Sequence, residues 1–188
     1  AMKKTLFLVF IIPAVSLFTW AAPSPNLKGA EVLSGKTIEV APKAEGTVVV
    51  FLSAVCPCSN SHVQELKSLA QEFPQFAFVA IHSNVDEDAQ SSKEYFQKAT
   101  MGFPVLQDNN AKIADEFKAL KTPHAFVVSR EGKMLYQGGV SSSRDITKAD
   151  RKFLREALTD LKEHRSVQTP EGRTLGCTIS RGEEKNVW

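Results

Sequence analysis

The sequence predicts an α/β fold, a central mixed sheet with helices on both faces. Three observations carry that expectation. Apolar runs of β type alternate with amphipathic helical stretches from Thr47 onward. Two short apolar runs around Arg130-Glu131-Gly132-Lys133 read as a β-hairpin. Cys56-Pro57-Cys58 stands where the first buried strand meets the first helix, at the strand end where open α/β sheets hold their ligands.

Taken in order, Pro23 to Gly29 reads as a polar lead-in. Thr37 to Val40 is a short edge strand, followed by a turn over Pro42 to Gly46. Thr47 to Leu52 is nearly all apolar, as a strand buried on both faces should be. Ser59 to Phe73 places Val63, Leu66, Leu69, Ala70 and Phe73 at helical spacing. Phe76 to Ile81 is a second buried strand. Asp86 to Thr100 is a polar helix whose contacts are Tyr95, Phe96 and Ala99, with Asp86-Glu87-Asp88 as its N-terminal charge run. Pro104-Val105-Leu106 is a short extended piece and Ala111 to Leu120 a helix. Ala125 to Ser129 and Met134 to Gln137 form the hairpin. Lys148 to Glu163 is the last helix, with Phe153, Leu154, Ala157, Leu158 and Leu161 on one face. The order β-α-β-α-β-α-β-β-α calls for parallel strands with crossover helices and an antiparallel hairpin at the edge.

Ala1 before Met2 reads as a cloning remnant. Lys3 and Lys4, the apolar stretch Leu6 to Trp20 and the small residues Ala21-Ala22 make residues 1–22 a secretory signal peptide. An uncleaved anchor is the alternative; Pro13 and an apolar core short of the ~20 residues a spanning helix needs argue against it, so no stable membrane span is expected after processing. Removing residues 1–22 takes away two lysines and no acid, which brings the formal charge from +2 to zero. No basic stripe points to nucleic acid. Export implies a compartment, periplasmic or extracellular, where disulfides persist. Three cysteines are too few for a stapled scaffold and leave an odd thiol; two of them crowded together favour a reactive pair.

Cys56 lies beside the first free N–H groups of the helix, where the positive end of the dipole favours a thiolate. Pro57 suits the first turn because its missing N–H has no intrahelical partner there. The second anchor is Lys121-Thr122-Pro123-His124. Pro123 opens a strand either as a rigid loop residue or as a cis proline. No Walker or dinucleotide fingerprint occurs, no serine-hydrolase elbow is present, and no cofactor is implied.

The residues converge on a family. Phe51-Leu52-Ser53-Ala54-Val55-Cys56-Pro57 with Asn60, Phe103-Pro104-Val105-Leu106-Gln107-Asp108, Thr122-Pro123-His124-Ala125-Phe126-Val127 and Leu135-Tyr136-Gln137-Gly138-Gly139 resemble exported redoxins of the alkyl hydroperoxide reductase/thiol-specific antioxidant superfamily. Leu175-Gly176-Cys177-Thr178-Ile179 resembles the Gly-Cys-x-Ile ending of one branch. The resemblance implies a thioredoxin-like fold, with residues 23–165 as the domain and 166–188 as a tail carrying Cys177. It matches Cys56 to the first active-site cysteine, Pro123 to the cis-proline that binds the partner chain, and Cys177 to the tail cysteine. Cys58 falls where that branch has another residue. The implied activity is thiol–disulfide exchange with protein or small thiols and an upstream redox partner. Thiol peroxidase is a further reading, although Val49 stands where peroxidases of the superfamily have proline and Ser53 where they have threonine.

Cys56 is thus the expected nucleophile, Cys58 the first-choice resolving thiol and Cys177 the second. Cys56–Cys58, Cys56–Cys177 and Cys58–Cys177 all stand as pairings. A Cu(I) site of Cys56, Cys58 and His124 is the alternative chemistry. His62 is expected as a solvated helix residue and His124 as a neighbour tuning the thiol. His82 and His164 are expected to have no role, and Ser141-Ser142-Ser143 to be a flexible loop.

Overall fold

The computed structural model describes residues 27–182. The expected signal peptide, residues 1–22, and the end of the expected tail lie outside them. Among the described residues, no helix is long and apolar enough to cross a membrane.

The chain opens with two antiparallel strands, Leu27–Glu31 (β1) and Thr37–Val40 (β2). Thr47–Phe51 (β3), Pro57–Glu72 (α1), Ala77–His82 (β4), Ala89–Ala99 (α2) and Val105–Gln107 (β5) follow as two crossover units, and β3, β4 and β5 run parallel. A 3-10 turn leads into Lys112–Glu116 (α3), then Lys121–Thr122 (β6), His124–Val128 (β7) and Met134–Gly138 (β8). Phe153–Lys162 (α4) and Cys177–Thr178 (β9) complete the chain. The main sheet runs β2-β1-β5-β4-β3-β7-β8, with β7 antiparallel to β3, and β6 and β9 form a separate pair.

Side-chain alternation divides the core. Val48, Val50, Ala125 and Val127 face α1, α2 and α4, while Val49, Phe51, Phe126 and Val128 face α3. Helices therefore cover both faces, as expected. Glu65 of α1 receives Lys152 and Arg155, pinning the last helix to the first.

Several expectations need correction. The lead-in contains β1, which lies between β2 and β5 and buries only Leu27 fully, so it carries no periodic signal. The helix expected over 111–120 is confined to α3, because Ala111 and Lys118 both adopt left-handed backbone; Asp108 caps its start by accepting from the Ile113 and Ala114 N–H groups. The helix expected over 148–163 breaks into a 3-10 turn, Ile146–Lys148, and α4.

Candidate functional site

β3 ends at Phe51, and the loop Leu52–Val55 delivers Cys56 as the N-cap of α1 in extended conformation, with Pro57 in the first turn. No acidic residue occupies that first turn, so nothing there offsets the helix's positive end. The Thr122–Pro123 peptide is cis. It brings the Thr122 carbonyl oxygen to 3.2 Å from Cys56 Sγ.

Cys56 is disulfide-bonded to Cys177, with Cα atoms 6.1 Å apart, and Cys58 is free and buried. Of the three pairings left open by the sequence, this structure holds Cys56–Cys177 and not Cys56–Cys58. The reason lies in the tail. β9 pairs with β6 so that Cys177 sits opposite Thr122, beside Cys56 and within the usual span of a disulfide. All three sulfurs still lie within 4.8 Å of one another.

His124 does not join that cluster. Its register partner is Phe51, so its ring points to the α3 face and stacks on Phe126, with centroids 4.3 Å apart. The Cu(I) set of two cysteines and His124 is not assembled, and His124 lies on the far side of the sheet from α1. Its Nδ1 accepts from Leu120 N–H at 3.4 Å, and burial pushes its pKa down to about 4.

That burial has a pH signature. Between the ~6.5 of an unfolded histidine and about 4, the unfolded chain takes a proton that the folded chain excludes, so His124 costs stability as pH falls through that window. Urea unfolding at pH 7 and pH 4.5 should show a smaller loss on acidification for His124→Gln than for the unsubstituted chain. An equal loss in both would remove His124 from the account.

His62 is buried rather than solvated. Its ring bonds the Cys58 carbonyl at 2.7 Å and Ser141 Oγ at 2.8 Å, and burial lowers its pKa although the Cys58 bond opposes the shift. Ser141 is correspondingly a buried anchor of its loop and not part of a flexible one. Cys58 thus hangs from a turn whose carbonyl is held by the His62 imidazole.

The acidic run hides a second surprise. Asp88 caps α2 as expected, accepting from Ser91 N–H. Glu87 instead turns inward and accepts from Ser53 Oγ, Ala54 N–H, Asn84 Nδ2 and His82 Nε2. Burial alone would raise its pKa; the bonds from His82, Ser53 and Asn84 override that and hold it at about 2. His82, expected to be idle, is buried against this carboxylate. Burial would lower its pKa, but Glu87 and Gln107 raise it. Ser53 and Ala54 lie three and two residues before Cys56, so this network fixes the loop that presents the sulfur. No local pattern announces it, because its members come from three segments: Ser53–Ala54, the stretch 82–87 and Gln107.

The sequence profile of the AhpC/TSA family matches residues 20–137, which takes in Cys56, Cys58 and Pro123 but not Cys177. Sporulation thiol-disulfide oxidoreductase A of Bacillus subtilis is 17% identical over 107 residues, 55% of this chain and 65% of that protein, so the match spans just under two thirds of the relative's length. An uncharacterized conserved protein from Geobacillus kaustophilus superposes with TM-score 0.77 at 26% identity, over 93% of this chain and all of that one. A secreted Mycobacterium tuberculosis disulfide oxidoreductase superposes with TM-score 0.51 at 18% identity, over 58% and 81% of the two chains. The fold is thioredoxin-like.

Proposed function

We propose that this chain, which belongs to the AhpC/TSA family, is a thiol–disulfide oxidoreductase with Cys56 as its nucleophile. The observation that carries the reading is the bond from Cys56, at the N-terminus of α1 and against the cis-proline loop, to a cysteine of the chain's own tail. In the reducing direction the Cys56 thiolate attacks one sulfur of a partner disulfide, and the other partner sulfur leaves as thiolate. A second thiolate of this chain then attacks Cys56 Sγ and releases the partner fully reduced. The reverse sequence oxidises a partner dithiol and leaves Cys56 and Cys177 as thiols. Cys177 is the resolving group favoured by the geometry, with Cys58 in reserve beside it. Pro123 holds the loop against which a partner chain is presented. The secretory character of residues 1–22 fits an exported protein whose partners are other exported thiols, with an upstream redox partner restoring it.

Peroxide reduction is less well supported. Ser53, at the position of the family threonine, spends its hydroxyl on Glu87 rather than offering it to a substrate.

Differential alkylation followed by mass mapping tests the reading. The oxidised chain should show Cys56 bridged to Cys177 with Cys58 alkylated, and turnover with a protein disulfide should trap the partner on Cys56. A partner trapped only on Cys58 or Cys177 would overturn the assignment. The three close sulfurs support a second reading, capture of Cu(I) by the reduced protein through Cys56, Cys58 and Cys177 rather than His124. One equivalent of Cu(I) would then shield all three thiols from alkylation.

A further inference from the structure

The strand β6 has one hydrogen-bonded neighbour among the described residues, and that neighbour is the tail. Residues 175–179 lie along it with Cys177 opposite Thr122. The Ile179 N–H donates to the Leu120 carbonyl at 3.0 Å. Its side chain is 3% exposed and belongs to the core cluster that contains Phe51, Phe117 and Phe126. Gly176 passes so close to the loop that a Cβ there would overlap the Thr122 carbonyl oxygen. The Thr122 hydroxyl is buried with no hydrogen-bond partner.

Four large hydrophobic side chains are exposed among the described residues, and three of them adjoin this pairing along the chain or through a backbone bond. Val55, 71% exposed, precedes Cys56; Leu120, 61% exposed, precedes β6; Val85, 42% exposed, donates its N–H to Ser180 O. Exposed apolar side chains next to a reactive sulfur suit a protein partner better than a small polar thiol.

We infer that the edge of β6 along Lys121–Thr122 is the partner site, that the tail occupies it as the chain's own pseudosubstrate, and that it selects an extended protein segment of the form Gly-Cys-x-aliphatic. The inference rests on the thiol-exchange reading above and names the partner of that same site. Any strand that brings a sulfur to Cys56 along β6 meets the Thr122 carbonyl at the residue before its cysteine, where only glycine passes without displacement. Two positions after the cysteine it meets the buried apolar position that Ile179 holds. The backbone of β6 supplies hydrogen bonds to any sequence, so the selectivity resides in these two positions.

Occupancy by tail or partner is mutually exclusive, which orders the chemistry. After the Cys56 thiolate attacks the partner's disulfide, the partner's second sulfur leaves as thiolate and the bonded segment takes the tail's place along β6. Cys177 reaches Cys56 Sγ only as that segment withdraws. Its attack forms the Cys56–Cys177 bond, breaks the mixed disulfide and releases the partner thiolate. Cys58 belongs to α1 and stays within reach of Cys56 throughout. Closing of the tail is therefore product release.

The test uses the reduced full-length chain and a synthetic peptide of the sequence of residues 174–180, its cysteine activated as a thionitrobenzoate mixed disulfide. Thionitrobenzoate release measures the reaction with Cys56, normalised to the rate of each peptide with free cysteine. A peptide carrying alanine in place of the glycine should react at least about tenfold more slowly, since ~1.4 kcal/mol, a low figure for overpacking, is a factor of ten. The chain with Gly176→Ala should react faster than the unsubstituted chain with the glycine peptide, because its own tail competes less well. Equal rates for the two peptides overturn the selectivity, and an unchanged rate for Gly176→Ala overturns the competition, in both cases leaving the exchange reading intact. A Cys56 inert towards both peptides and towards free dithionitrobenzoate overturns the exchange reading and this inference with it.

Discussion

Cys56→Ser reduces catalysed insulin-disulfide reduction to the background rate of the reductant, while Cys58→Ser retains most of it. The expected asymmetry follows from where the two sulfurs sit. Cys56 is the N-cap of α1, exposed to the unsatisfied N–H groups of the first turn, and its Sγ lies against the cis-proline loop. A serine hydroxyl in that place is not ionised by a helix N-terminus and forms no mixed disulfide, so the first covalent step is lost outright. Cys58 is buried one position into the helix, on a turn tied to His62, and the tail's β pairing does not lead to it. Cys177→Ser should fall between the two. Attack still occurs, but resolution passes to Cys58, so the partner lingers as a mixed disulfide that non-reducing electrophoresis would display. Full insulin reduction by Cys56→Ser would transfer the nucleophile's role to another sulfur. A Cys58→Ser chain as dead as Cys56→Ser would make the buried thiol an obligatory resolver.

Much of the architecture was legible because its causes are local. Thr47–Phe51 and Ala77–His82 are buried on both faces and therefore read as apolar runs, and Val63, Leu66 and Leu69 mark the buried side of α1 by their spacing. The position of Cys56 between such a strand and such a helix was equally plain. What the residues could not reveal depends on partners far along the chain. β6 and β9 are two residues each and exist because they pair across more than fifty residues. Cys177 stands 121 residues from Cys56, and the local alternative, Cys58, looked closer only in sequence. His62 reads as a polar residue on an amphipathic helix until Ser141, 79 residues on, is seen to receive its ring. Glu87 looks like its acidic neighbours; only the third dimension separates a surface cap at Asp88 from a buried brace.

Glu87→Ala should therefore be the most destabilising change in the loop system, lowering the unfolding free energy by about 3–5 kcal/mol, as removal of one member of a buried ion pair does. Four donors converge on this carboxylate, and truncation leaves buried His82, Ser53 and Asn84 without their acceptor. The pH dependence identifies the cause. Glu87 is held at about 2, so its contribution is present above the ~4.3 of an unfolded glutamate and is lost as pH falls towards the folded value. His82 has its pKa raised, so its contribution is complete below the ~6.5 of an unfolded histidine and is lost as pH rises through the folded value. The pair stabilises most between those two limits, and chemical denaturation of the Glu87→Ala chain should lose both limbs of that profile together. The same carboxylate holds Ser53 Oγ and the Ala54 N–H just ahead of the N-cap cysteine. At a temperature where the variant remains folded, its Cys56 should consequently react more slowly with a protein disulfide than in the unsubstituted chain, although the sulfur itself is untouched. Unchanged reactivity in a destabilised but folded variant would confine Glu87 to stability and leave the presentation of Cys56 to Pro57 and the helix alone.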